Sequence, residues 1–235
     1  MYLPTASAPV PGVLVIPTYY MIINGSAEDF DRNYAIALAK QGYAALVPTL
    51  NQYGGRGTYE LRHAVDLPLI SKWLRDRPEV MDDRIAAVGF SIGGNMAAVL
   101  AANDPTTRAS IGYYGVYDLE SRELPFSRLV ERFWSGSPVR TAPKVSGAVL
   151  LLHGESDNEI PLPQATAYRD SLTAAGKTVE LVSYPRAYHR FDRGKTSLMQ
   201  NDTTQQGQIY RLDAKARDDA WQRSVAWLEK YLKAD

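Results

Sequence analysis

The stretch from Asp83 to Ala98 restricts the fold more than any other part of this chain. It begins as a short apolar run, Ile85-Ala86-Ala87-Val88, passes through Gly89-Phe90-Ser91-Ile92-Gly93, and continues into the alanine-rich Gly94-Asn95-Met96-Ala97-Ala98. That order predicts a buried strand, a sharp turn and a helix. Gly-x-Ser-x-Gly in this setting is the pattern of a nucleophile elbow, in which a strained turn lifts the serine hydroxyl clear of the sheet at a helix N-terminus. A side chain at Gly89 or Gly93 is expected to collide where strand and helix close on one another.

The rest of the chain repeats the alternation. Gly12 to Pro17 reads as a strand covered on both faces, and the apolar positions from Ala27 to Gln41 recur at helical spacing up to a closing Gly42. Tyr43 to Pro48 predicts a second strand. Asn51 to Gly57 predicts a flexible connection, and Tyr59 to Arg75 a helix with Leu61, Val65, Leu67, Ile70 and Trp73 facing inward. After the elbow come a strand over Ala109 to Tyr117 and a less regular stretch to Pro143 with a short helix around Phe126 to Phe133, a candidate cover. Gly147 to His153 is a strand, Leu162 to Ala175 a helix, and Val179 to Tyr184 the last strand. A polar loop from Arg193 to Gln208 precedes an amphipathic helix over Ala214 to Leu232, with Trp221, Val225, Trp227 and Leu228 toward the sheet. The expected fold class is α/β: one domain over residues 1–235, a mostly parallel sheet with helices on both faces. Such sheets bind ligands at the carboxyl ends of their strands.

Composition narrows the chemistry mainly by exclusion. Zero cysteines among 235 residues removes disulfides, thiolate metal sites and a cysteine nucleophile. Formal charge is zero with acids and bases interspersed, unlike the basic footprint that nucleic-acid binding requires. The N-terminus lacks the pattern of a signal peptide, and no apolar run is long enough to span a bilayer. A soluble protein, cytoplasmic by default, is expected; a leader removed beforehand would leave the same sequence. The acids are scattered and the three histidines lack ligand spacing, so no metal is expected.

A serine hydroxyl needs a base within hydrogen-bond reach, and histidine is the usual one near neutral pH. His63 is expected mid-helix as a surface or boundary residue, and His153 ends a strand beside Gly154 on a crowded edge. His189 follows the last strand, in a loop leaving the carboxyl end of the sheet where Ser91 should sit, and is taken as the base. The loop after Leu152 offers Glu155, Asp157 and Glu159 as the acid that orients the imidazole. Position favours Asp157, and the chain order serine, aspartate, histidine is that of α/β-hydrolases.

Gly-Phe-Ser-Ile-Gly-Gly at 89–94, His-Gly-Glu-Ser-Asp-Asn-Glu-Ile-Pro at 153–161 and Tyr-Pro-Arg-Ala-Tyr-His-Arg-Phe at 184–191 resemble the three active-site blocks of the dienelactone hydrolase family. Gly112 to Val116 resembles a further stretch of that family, and the segment from Val13 to Asn24 aligns with it without a gap. The resemblance implies an oxyanion hole made by the backbone N–H groups of Ile92 and Tyr20; elbow geometry predicts the first by itself. It also implies that Arg193 contacts a substrate carboxylate, with Arg56 and Arg62 as vaguer candidates for that duty. Tyr19 and Tyr113 are placed among the substrate contacts, and Tyr53, Tyr117, Phe126, Phe133 and Trp134 among further pocket candidates. The chain departs from the family where Ser91 replaces the usual cysteine and Tyr19 a glutamate tied to thiol activation, and the two changes agree with each other.

Together these readings predict a serine esterase or lactonase with Ser91, Asp157 and His189 as its catalytic residues. It needs no cofactor, takes a small-molecule ester or lactone, has no nucleic-acid or membrane partner, and is a monomer or small homo-oligomer. Two alternatives stand beside it. One is a peptidase of prolyl oligopeptidase type without its gating domain, and the other a catalytically silent hydrolase fold used for binding.

Overall fold

A computed structural model describes residues 1–18, 29–48, 63–121, 137–194, 201–204 and 207–233, without the side chains of 63–65. Its framework is a parallel sheet. In chain order the elements are β1 (Val10–Ile16), α1 (Asp29–Lys40), β2 (Ala44–Leu46), α2 (His63–Arg75), β3 (Val80–Phe90) and α3 (Ile92–Asn103). There follow β4 (Thr107–Tyr113), a short α4 (Pro138–Thr141), β5 (Ala148–Gly154), α5 (Pro163–Ala174), β6 (Val179–Tyr184) and α6 (Ala214–Leu228). Among the described residues the sheet has six strands in the order β2-β1-β3-β4-β5-β6, each pair parallel. The expected α/β class, with helices on both faces, is the one observed.

The strands are apolar throughout because alternate residues feed cores on opposite faces. Val13 and Val15 join Ala86, Val88, Phe90, Ile111 and Leu150 on one face, packed by Tyr34 and Leu38 of α1 and by Ala220 and Leu228 of α6. Leu14 and Ile16 join Ile85 and Ala87 on the other, under Leu67 and Leu74 of α2 and Met96 and Leu100 of α3. Farther along that side Val149 and Leu151 meet Tyr168 and Leu172 of α5. Helix α3 is buried continuously from Ile92 to Ala101.

Two local expectations change. Trp73 is 45% exposed and lies under the Arg77 guanidinium, 4.5 Å from its ring centre, while Leu74 is fully buried. The inward stripe of α2 therefore runs through Leu67, Ile70 and Leu74, and Trp73 stands to one side of it. The strand expected over Ala109 to Tyr117 begins at Thr107 and ends at Tyr113, because Tyr114 takes φ 40° and turns the chain out of the sheet. The helix expected around Phe126 to Phe133 and the connection Asn51 to Gly57 lie outside the described residues; the end of that cover segment forms α4 and a 3₁₀ turn at Ala142–Lys144. No helix among the described residues is long and apolar enough to cross a membrane.

Candidate active site

Ser91 follows β3 directly and precedes the first residue of α3, with φ 56° and ψ −115°. L-residues rarely occupy that conformation, and where it occurs it stores strain of roughly 1–3 kcal/mol. The turn is held from both sides: Ser91 N–H donates to Tyr113 O at 2.9 Å, and Gly94 N–H to Ser91 O at 2.9 Å. A Cβ on Gly89 would fall 1.9 Å from Gly93 O, where strand and helix close on each other. A Cβ on Gly93 would fall 2.2 Å from Ile16 O, so its constraint comes from the end of β1.

Asp157 sits in the turn after β5, with its Oδ1 accepting the N–H groups of Glu159 at 3.0 Å and Ile160 at 2.8 Å. Those two bonds leave Oδ2 to face His189, whose Nδ1–H donates to it at 2.8 Å. A carboxylate accepts only, so Nδ1 carries the proton and Nε2 presents its lone pair. Ser91 Oγ lies 3.1 Å from that Nε2. Asp157 and His189 are buried and Ser91 is half-buried, so Ser91 is the most exposed of the three. Burial by itself opposes a charged imidazole, but the charges of Asp157 and Glu159 outweigh it and raise the His189 pKa above the usual histidine value.

The three residues sit on different strand ends, and β6 lies three strands from β3. At about 4.8 Å per strand that is on the order of 14 Å. The chain covers it by folding back over the end of β5 after Tyr184. Ser156 N–H donates to Ala187 O at 3.0 Å, and a Cβ on Gly154 would fall 2.2 Å from the same oxygen. Only glycine at the end of β5 lets the returning loop pass so close.

His153 is buried, its Nε2 2.8 Å from Ile160 O and 3.5 Å from Asp157 Oδ2, so it packs behind the acid. Burial lowers its pKa and keeps it neutral. His63 is the first described residue of α2. Of the other acids, Glu155 accepts from Ser183 Oγ at 2.7 Å, away from His189. Glu159 places Oε2 3.9 Å from His189 Nε2, and Tyr210 OH donates to that same oxygen.

Two expected substrate contacts are corrected. The Arg193 side chain is 3% exposed; its Nη1 lies 3.1 Å from Asp31 Oδ1, its Nε 3.4 Å from Asp192 Oδ1, and its guanidinium stacks on Phe30 and Phe90. It joins the turn carrying His189 to α1 and to Phe90, the residue before Ser91. Tyr113 is buried in the core, its OH 2.8 Å from Ser224 Oγ and 3.1 Å from Ala220 O. Tyr117 likewise stacks on Tyr168 inside the core. Tyr19, Tyr20, Tyr53, Arg56, Arg62, Phe126, Phe133 and Trp134 lie outside the described residues.

Sequence reasoning missed Tyr114 and Tyr210. The Tyr114 ring meets the His189 ring edge-on at 4.6 Å, and its OH donates to Asp192 at 2.8 Å. The Tyr210 ring centre is 5.9 Å from that of His189. For Tyr114 a signal existed, in the doubled tyrosine before Gly115 where the strand ends; for Tyr210 there was none. Among the described residues no cluster of three or more histidine and carboxylate side chains is suited to hold a metal ion.

Comparison with known proteins places this geometry in context. The model of the dienelactone hydrolase family matches residues 1–232. A Methylorubrum extorquens protein, provisionally named a carboxymethylenebutenolidase, is 27% identical over 97% of this chain and 75% of its own length. A crystal structure from Klebsiella pneumoniae subsp. pneumoniae, provisionally titled a dienelactone hydrolase, has TM-score 0.74 at 24% identity over 97% of this chain and 90% of that one. Thermogutta terrifontis esterase 2, solved after phosphonylation by sarin, has TM-score 0.76 at 18% identity over 100% of this chain and 90% of that one. These structures share the α/β-hydrolase fold with the six-stranded sheet seen here.

Proposed function

Since this chain belongs to the dienelactone hydrolase family, we propose that it cleaves carboxylic esters or lactones through an acyl-enzyme on Ser91. The observation that carries the reading is the unbroken relay from Asp157 through His189 to Ser91, at 2.8 and 3.1 Å. His189 Nε2 takes the Ser91 proton as Oγ attacks the ester carbonyl, and the imidazolium so formed is stabilised by the Asp157 carboxylate. The tetrahedral oxyanion is held by the Ile92 N–H. As the first residue of α3, Ile92 has no carbonyl within the helix for its N–H to bond. The family loop supplies Tyr20 as second donor. His189 then protonates the leaving oxygen, and water repeats the cycle on the acyl-enzyme. No cofactor takes part.

The test is direct. Ser91→Ala should lower hydrolysis of short p-nitrophenyl esters by at least about 10⁴-fold while the protein stays folded. A fluorophosphonate should add to wild type at Ser91 and not to the variant. Full esterase activity in Ser91→Ala refutes the assignment.

A further inference from the structure

We propose that Glu159 selects the leaving group, favouring esters whose alcohol carries a positive charge and disfavouring those whose alcohol carries a negative one. The inference rests on the serine-hydrolase reading above, because it concerns where the leaving group sits. In that reaction the departing oxygen takes its proton from His189 Nε2, so the atoms next to that oxygen lie within a few ångströms of Nε2. The Glu159 carboxylate occupies that neighbourhood, with Oε2 3.9 Å from the same nitrogen.

The carboxylate is fixed before substrate arrives. Its backbone N–H is bonded to Asp157 Oδ1 at 3.0 Å, so the residue is tied to the acid of the relay. Its side chain accepts the Tyr210 hydroxyl. Burial, with the Glu159 charge beside it, pushes the Tyr210 phenol far above its ordinary value and keeps it a donor. Asn158 fastens the segment bearing Tyr210, donating to Gly207 O at 2.9 Å and accepting from Ile209 N–H at 3.0 Å. Preorganised charge of this kind acts without reorganising during the reaction.

The surrounding charges do not cancel it. Around His189 the described charged groups are the carboxylates of Asp157 and Glu159 and the Arg190 guanidinium, with His153 neutral. The Arg190 guanidinium lies 5.7 Å from the Tyr210 ring centre, and its Nε donates to Gly194 O. Of the other cations in the loop after β6, Arg193 is paired with Asp31 and Asp192, and Arg186 is exposed. The imidazolium that forms on His189 is balanced by Asp157, so Glu159 is the charge that distinguishes wild type from Glu159→Gln, and at a separation of about 5 Å one unit charge changes the rate of each charged ester by a factor on the order of ten.

The experiment uses three aryl acetates that share the acetyl group and differ at the meta position of the phenol: trimethylammonium, hydrogen or carboxylate. For each enzyme the readout is the ratio of kcat/KM for the cationic ester to that for the anionic one. A ratio within one variant is independent of the active fraction and of the share of His189 in its neutral form. Wild type should exceed Glu159→Gln in this ratio by about a hundredfold, about tenfold from each charged ester, and Glu159→Lys should fall below Glu159→Gln. The wild-type excess should shrink in about 1 M NaCl, where charges are screened within about 3 Å. A ratio that stays within about twofold across all three proteins overturns the proposal while leaving the hydrolase reading intact. Absence of Ser91-dependent turnover of the neutral ester overturns both.

Discussion

In the proposed reaction His189 serves as the base, and two carboxylates outweigh its burial to raise its pKa. The sign of the pH dependence follows. The base must be neutral to accept the serine proton, so kcat/KM should fall as pH drops through a pKa lying above the ordinary histidine value of 6.5. Glu159→Gln should shift that acid limb to lower pH, and a limb already at or below pH 6.5 in wild type would contradict the electrostatics described. The same raised pKa makes His189 favour the folded state. That contribution is fully present below the unfolded value and is lost as pH rises through the folded one. At this scale the sequence was most informative for Ser91, Asp157 and His189, because a turn motif and a chain order each carry local or ordinal information. For Arg193 it suggested a substrate contact and gave no hint of the partner, Asp31, which lies 162 positions away. It offered Glu159 as a rival acid without revealing that its Oε2 lies 3.9 Å from His189 Nε2.

Among the elements, strands were read best, since a run buried on both faces needs only apolar residues and a stop. The inward stripe of α2 was read less well: Trp73 and Leu74 are adjacent, and hydrophobicity alone does not say which of them turns in. The turn after β6 shows what an element can owe to distant residues. Arg193 fastens it to α1 through Asp31, which is completely buried. Removing one partner of a buried pair leaves a desolvated charge and typically costs about 3–5 kcal/mol. Arg193→Met should therefore lower thermal stability, by about 2–4 °C for each kcal/mol lost. It should also reduce turnover of neutral and carboxylate-bearing esters by the same factor. A loss confined to the carboxylate esters would return Arg193 to the role of substrate contact.

At the level of the whole molecule, both cores are built on one sheet, and every strand from β1 to β5 contributes to each face or borders a strand that does. We propose on that ground that the chain unfolds as one unit. Far-UV circular dichroism and tryptophan fluorescence should give coincident melting curves, with a calorimetric enthalpy of about 160 kcal/mol near 60 °C. Two resolved transitions would show separate units. What the amino-acid sequence determined by itself was the alternation of strands and helices, the elbow, and the chain order of Ser91, Asp157 and His189, all encoded in periodicity and turn chemistry over a few residues. What only the tertiary structure decided was which side chains meet: Arg193 with Asp31, Tyr114 and Tyr210 with His189, and Glu159 with the nitrogen that faces the serine. Those meetings depend on the strand order and on a loop that recrosses the end of β5 at Gly154, and no local pattern records how far apart in the chain two touching residues will be.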